Sequence, residues 1–135
     1  MDGLLRISSV YDFVETCRRL EDALLSRSLK PMCTVDHSAM AKDAGLSLRP
    51  TRVYLFGNAK AGTPLMQAAE TLGLDLPLRI LVHQSEDGMT YVTHWLLRTI
   101  VERHRLLVAK FRDAIAHIEA VVEDIVSETV GEPLT

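Results

Sequence analysis

From Leu97 to Ile125 the chain places Leu97, Val101, His104, Val108, Phe111, Ile115, Ile118, Val122 and Ile125 at alternating spacings of four and three residues. That repeat keeps one stripe on one side of a helix over four heptads. Ile100, Leu107, Ala114 and Val121 widen the stripe, giving an apolar face broad enough to bury against a core. No Gly or Pro lies between Trp95 and Gly131, so nothing in the residues marks a stop. The pattern predicts one long C-terminal amphipathic helix over residues 96–127. At 1.5 Å per residue this is a rod of roughly 46 Å, against roughly 26–30 Å for the breadth of a domain this size. A rod that overhangs its own core exposes an apolar stripe, which monomers rarely tolerate. The expectation is a homo-oligomer, dimer or higher, with Val101, His104, Val108, Phe111, Ile115, Ile118 and Val122 at the interface. His104 would be the polar seam residue that sets register.

The preceding residues alternate strand and helix signals. Residues 3–8 read as a first strand. Ser9 is a cap candidate, with Asp12 three residues on, and Val10, Phe13, Val14, Cys17, Leu20, Leu24 and Leu25 supply an apolar helix face. Pro31 disfavours helix just before it, and residues 32–36 form a second strand. A short helix over 38–44 stops at Gly45. A third strand, 52–56, ends at Gly57-Asn58. Thr63 followed by Pro64 reads as an N-cap and first helical residue. Residues 78–84 and 90–94 make two strands around Asp87-Gly88, a hairpin signal. The order βαβ(α)βαββα defines an α+β fold, a two-layer sheet-and-helix sandwich. Residues 1–95 form its compact body, 96–127 the long helix and 128–135 a flexible tail.

The 135 residues suit one domain, and 47% hydrophobic with 24% charged content is ordinary for a globular chain. A net charge of −3 supplies no broad basic field for nucleic acid. No polybasic stretch addresses a membrane surface, and no apolar run is long enough to span one. The N-terminus has no basic segment leading into an apolar one. Cys17 and Cys33 are far apart and form no CxxC, as expected of reduced thiols in a cytoplasmic protein.

Chemistry-bearing residues cluster in three places. The segment Asn58-Ala59-Lys60-Ala61-Gly62-Thr63 offers free N–H groups at a helix start, a cation in Lys60 and a hydroxyl in Thr63, a cradle for a small anionic ligand. Its spacing is not that of a P-loop. His37 follows Asp36 at the end of the second strand. If the second and third strands run parallel, His37 and Asn58 share one rim, with Arg49 as a further cation. His37 would then be an acid/base group or anion contact, whereas the plainer alternative has Asp36 capping the next helix. His83 and His94 flank the hairpin. A two-residue turn puts them diagonally on one face and a longer one on opposite faces, and no further ligand completes a metal site. His94, His104 and His117 lack a CxxCH haem motif. Trp95 reads as a packing anchor. No nucleophile–base pair stands out, so the chemistry points to a small-anion-binding module. An assembly protein working through the long helix is one alternative, and a small enzyme using His37 as acid/base is another. No cofactor follows from the residues.

Several segments resemble a known family. They are Val35-Asp36-His37, the run Gly45-Leu46-Ser47-Leu48-Arg49-Pro50-Thr51, and above all Phe56-Gly57-Asn58-Ala59-Lys60-Ala61-Gly62-Thr63-Pro64-Leu65-Met66-Gln67-Ala68. Leu74-Asp75-Leu76-Pro77-Leu78-Arg79 and the Glu86-Asp87-Gly88 hairpin also fit. Over about residues 10–94 the chain is similar to the domain of unknown function 302 family. The resemblance implies a compact two-layer α/β domain, oligomeric, with no established activity. The chain departs from the family pattern at His94-Trp95-Leu96-Leu97 and in its longer C-terminal helix.

Overall fold

A computed structural model of the chain describes residues 2–106 and 108–131. The elements are β1 (Leu4–Ser8), α1 (Phe13–Ser26), β2 (Cys33–Asp36), α2 (His37–Asp43), β3 (Thr51–Phe56), α3 (Ala59–Ala68), a 3-10 turn (Glu70–Leu74), β4 (Leu78–Gln84), β5 (Thr90–Trp95), α4 (Leu97–Arg103) and α5 (Arg112–Val130). This is the expected α+β order. The five strands form one sheet in the order β1-β5-β4-β3-β2, and every pairing is antiparallel.

Alternation along the strands separates two faces. Tyr54, Phe56, Ile80, Val82, Thr90, Val92 and His94 point to one side and are buried. They meet Cys17, Leu20, Ala23 and Leu24 of α1 and Val122, Ile125, Val126 and Val130 of α5. On the opposite face no described side chain is buried. A second cluster joins Leu65 of α3, Leu72 of the 3-10 turn, Leu97, Ile100 and Val101 of α4, Leu106, and Ile115 of α5. The long amphipathic α5 therefore serves both clusters.

The rod expected over residues 96–127 does not form as one piece. It is interrupted between Arg103 and Arg112, and α5 then continues to Val130. The break is a Schellman motif: Leu106 N–H donates to the Val101 carbonyl at 3.2 Å and Arg105 N–H to that of Glu102 at 3.1 Å. Arg105 holds the left-handed position at φ 59°, where a glycine is usual. With the break, the seam folds inward. Val101 is fully buried, and Ile115 and Val122 are 3% and 7% exposed. Val108, Phe111 and Ile118 pack half-buried against the second cluster. The apolar residues expected at an oligomer interface thus pack within the chain's own two clusters. Leu107 and residues 132–135, part of the expected tail, lie outside the described residues, while 128–130 belong to α5.

Local caps also differ from expectation. α1 is capped by Asp12, whose carboxylate accepts from Glu15 N–H at 2.8 Å. Ser9 instead shares a buried 2.8 Å hydrogen bond with Thr16. α3 begins at Ala59 rather than after Thr63, capped by Asn58. Pro64 sits inside it, in the second turn. The 3-10-like bond from Ala61 N–H to the Asn58 carbonyl tightens the turn that precedes Pro64.

Candidate functional site

Antiparallel pairing of β2 with β3 decides where the candidate residues fall. Asp36 pairs with Arg52 and Cys33 with Leu55, so the end of β2 lies beside the start of β3. His37 and Arg49 therefore stand at one end of the sheet and residues 58–63 at the other, roughly 20 Å away along a six-residue strand. The shared rim expected for His37, Arg49, Asn58, Lys60, Gly62 and Thr63 does not exist. The rule that places ligands at one edge applies to parallel strands.

At the His37 end the plainer reading holds. An Asp36 carboxylate oxygen accepts from Ala39 N–H at 2.9 Å and from the Ser38 hydroxyl at 2.7 Å, capping α2. Its other oxygen meets Arg52 at 3.2 Å. The helix cap, followed by Ser38 and Arg52, holds its carboxyl below the usual range. Arg52 leads into a network not foreseen from the residues. The Tyr54 hydroxyl donates to Glu21 at 2.5 Å, with Arg52 at 3.4 Å from the same hydroxyl. Burial, reinforced by Glu21, raises the Tyr54 phenol well above its ordinary value. Burial likewise raises the Cys17 thiol.

The anion cradle expected at the start of α3 is already filled by the chain. Lys60 N–H donates to Asn58 Oδ1 at 2.8 Å. Ala61 and Gly62 N–H both donate to the Asn58 carbonyl, at 3.0 and 2.9 Å. The same segment does, however, wall a cavity of about 340 Å³ that opens between α3 and α5. Gly57, Gly62, Leu65 and Met66 form one side, Leu76 to Leu78 the floor, and Ile118 and Val121 the far wall. A Cβ on Gly62 would come no nearer than 3.8 Å to Leu76 and 3.9 Å to Met66, ordinary van der Waals contact with two side chains that line the cavity. Polar atoms come from Asn58, Thr63 and His117. His117 was missed as a site residue because its place depends on where α5 lands after the break. Lys60 is exposed and does not line the cavity.

The two hairpin histidines are separated. His83 pairs with Tyr91 and Gln84 with Thr90, so the turn spans residues 85–89 rather than two. His83 consequently sits on the open face, 2.8 Å from the Thr93 hydroxyl, while His94 points into the core and is 7% exposed. Burial lowers both imidazoles below their ordinary value. Among the described residues no group of three or more His, Cys, Asp or Glu is placed to hold a metal ion.

The family model named domain of unknown function DUF302 matches residues 5–125, and the chain belongs to that family. Two curated relatives are 38% identical over 104 residues, 77% of this chain. They are proteins named fluoride-specific ion channel FluC 1 from Brucella suis and Brucella abortus, covered over 41% and 38% of their length. The chain thus spans about two-fifths of those relatives. Among the described residues no helix is long and apolar enough to cross a membrane. The crystal structure of an uncharacterized conserved DUF302 protein from Bacillus stearothermophilus superposes with a TM-score of 0.83 at 16% identity, covering 96% of this chain and 99% of that one. At that identity the likeness speaks for the fold.

Proposed function

We propose that the chain is a small-molecule-binding module whose ligand occupies the cavity between α3 and α5. The observation that carries this reading is a preformed space of about 340 Å³, within the size range of ligand pockets. It is walled by the segment through which the chain most specifically resembles its family. With the α3 N–H groups capped, the ligand is mostly apolar, with one or two hydrogen-bonding groups for Asn58, Thr63 and His117. It is not the simple anion that the loop first pointed to. His37 takes no part, which removes the motive for acid/base chemistry there.

The Brucella relatives named fluoride-specific ion channels hold the similar segment within about two-fifths of their length, which raises fluoride as an alternative occupant. A bare fluoride ion is a poor occupant for hydrocarbon-lined space, because a desolvated ion needs several donors.

The test is fluorescence titration with anilinonaphthalene sulfonate, an apolar reporter of suitable size. Saturable enhancement is expected in the native chain and its loss in Gly62→Leu, whose longer side chain extends into the cavity from a lining position. Equal enhancement in both proteins would sink the proposal.

A further inference from the structure

A second cavity lies where the sheet splits. The β4–β5 ladder runs from Gln84↔Thr90 to Leu81↔Thr93 and stops, although β4 begins at Leu78 and β5 continues to Trp95. β5 stays with β1 as far as Leu4↔Trp95, and β4 stays with β3 as far as Phe56↔Leu78. Between the diverging ends, no ladder pairing serves the backbone groups facing the gap, and such groups require partners. A cavity of about 150 Å³ occupies the split, lined by Asp75, Arg79, His94, Arg103 and Glu119 among others. That is room for about five waters at liquid density.

We propose that this cavity binds a small hydroxycarboxylate of two to four carbons. The charges lining it are unevenly committed. Asp75 is held by His104 at 2.6 Å. Glu119 accepts from Arg98 N–H at 3.1 Å and lies 3.7 Å from the Arg98 guanidinium. The guanidinium groups of Arg79 and Arg103, by contrast, have no hydrogen-bond or ion-pair partner among the described residues. The uncommitted charge is therefore positive, and guanidinium matches carboxylate geometry. His94 sets the second requirement. Its Nδ1 lies 3.4 Å from the Trp95 carbonyl, which can only accept, so the proton sits on Nδ1 and Nε2 carries a lone pair. A ligand hydroxyl beside the carboxylate donates to that lone pair, and acetate, which lacks the hydroxyl, cannot. The site is separate from the larger cavity, with Phe56, Leu78, Leu97 and Val122 common to both linings.

The experiment is calorimetric titration of the full chain with glycolate and with acetate, repeated on Arg103→Gln, His94→Phe and Gly62→Leu. Glycolate binds saturably, about tenfold more tightly than acetate. Arg103→Gln, at an exposed position, weakens both acids about tenfold or more. His94→Phe removes the preference for glycolate, and Gly62→Leu leaves glycolate binding unchanged. No saturable glycolate binding in the native chain, equal affinity for the two acids, or full affinity in Arg103→Gln would each overturn the proposal. The arginine variant decides even if the buried His94 substitution prevents folding.

Discussion

His104 Nε2 lies 2.6 Å from a carboxylate oxygen of Asp75, and its Nδ1 lies 2.9 Å from the Thr71 hydroxyl. Both partners belong to the stretch around the 3-10 turn, so the contact ties the end of α4 to the segment after α3. A residue expected to set register between two chains instead holds the corner where one helix ends. His104→Ala and Asp75→Ala are each expected to destabilise the fold, with a coupling of about 1 kcal/mol in a double-mutant cycle. Urea denaturation measures it, and strictly additive effects would show that the pair contributes nothing beyond proximity.

Arg105 occupies a left-handed backbone position at φ 59°. A side chain there costs about 1–2 kcal/mol relative to right-handed backbone, and glycine escapes most of that cost. Arg105→Gly is therefore expected to stabilise the chain by about 0.5–1 kcal/mol after the added freedom of the unfolded state is counted. Arg105→Val should destabilise it. A gain of stability from valine would refute the assigned corner.

The buried His94 makes stability depend on pH. Burial favours its neutral form, and the Trp95 carbonyl and Glu119 only partly offset this, so its folded value lies below the ordinary 6.5. Between those two values the unfolded chain binds a proton that the folded chain does not. Stability is therefore fully present above pH 6.5 and falls as the pH drops toward the folded value. His83, lowered by burial and by Arg6, acts in the same direction. The urea midpoint should be lower at about pH 5.5 than at about pH 7.5, and His94→Gln should flatten part of the difference. An unchanged midpoint in the native chain would contradict the burial of both rings.

The two thiols should react in sequence. Cys33 is exposed and Cys17 is buried, with its thiol raised by burial. Since the thiolate is the nucleophile, iodoacetamide under native conditions should modify Cys33 alone, with Cys17 following only after denaturation. Peptide mass spectrometry distinguishes them. Equal rates in the folded chain would mean that α1 opens readily.

Much of the layout was legible because it rests on local signals. β4 matches the range read from the residues, and the order of strands and helices follows from alternation and turn residues. What escaped was governed by long-range packing. The break after Arg103 uses an arginine where a glycine would have announced it, and Ser28, at φ 58° after α1, plays a similar part without announcing it either. Strand direction was also invisible. Short helical connections fit parallel or antiparallel neighbours, and only the pairing Asp36↔Arg52 separates His37 from the Asn58 loop. The loop's N–H groups, read as a cradle for an anion, serve the cap of their own helix, because α3 starts at Ala59 rather than after Thr63.

The strand order also says something about time. β2, β3, β4 and β5 each pair with a neighbour in sequence, whereas β1 joins last in the row, with Ser8 against Tyr91. The last turn of α5 meets the same region, where Val10 N–H reaches the Val130 carbonyl at 3.0 Å. Closing these two distant contacts costs more chain entropy than closing the meander. The meander can thus assemble as an early cooperative unit, with β1 and the end of α5 clasping it afterwards. The edge strand β1 is then expected to exchange its amides with solvent ahead of the central strands β3 and β4.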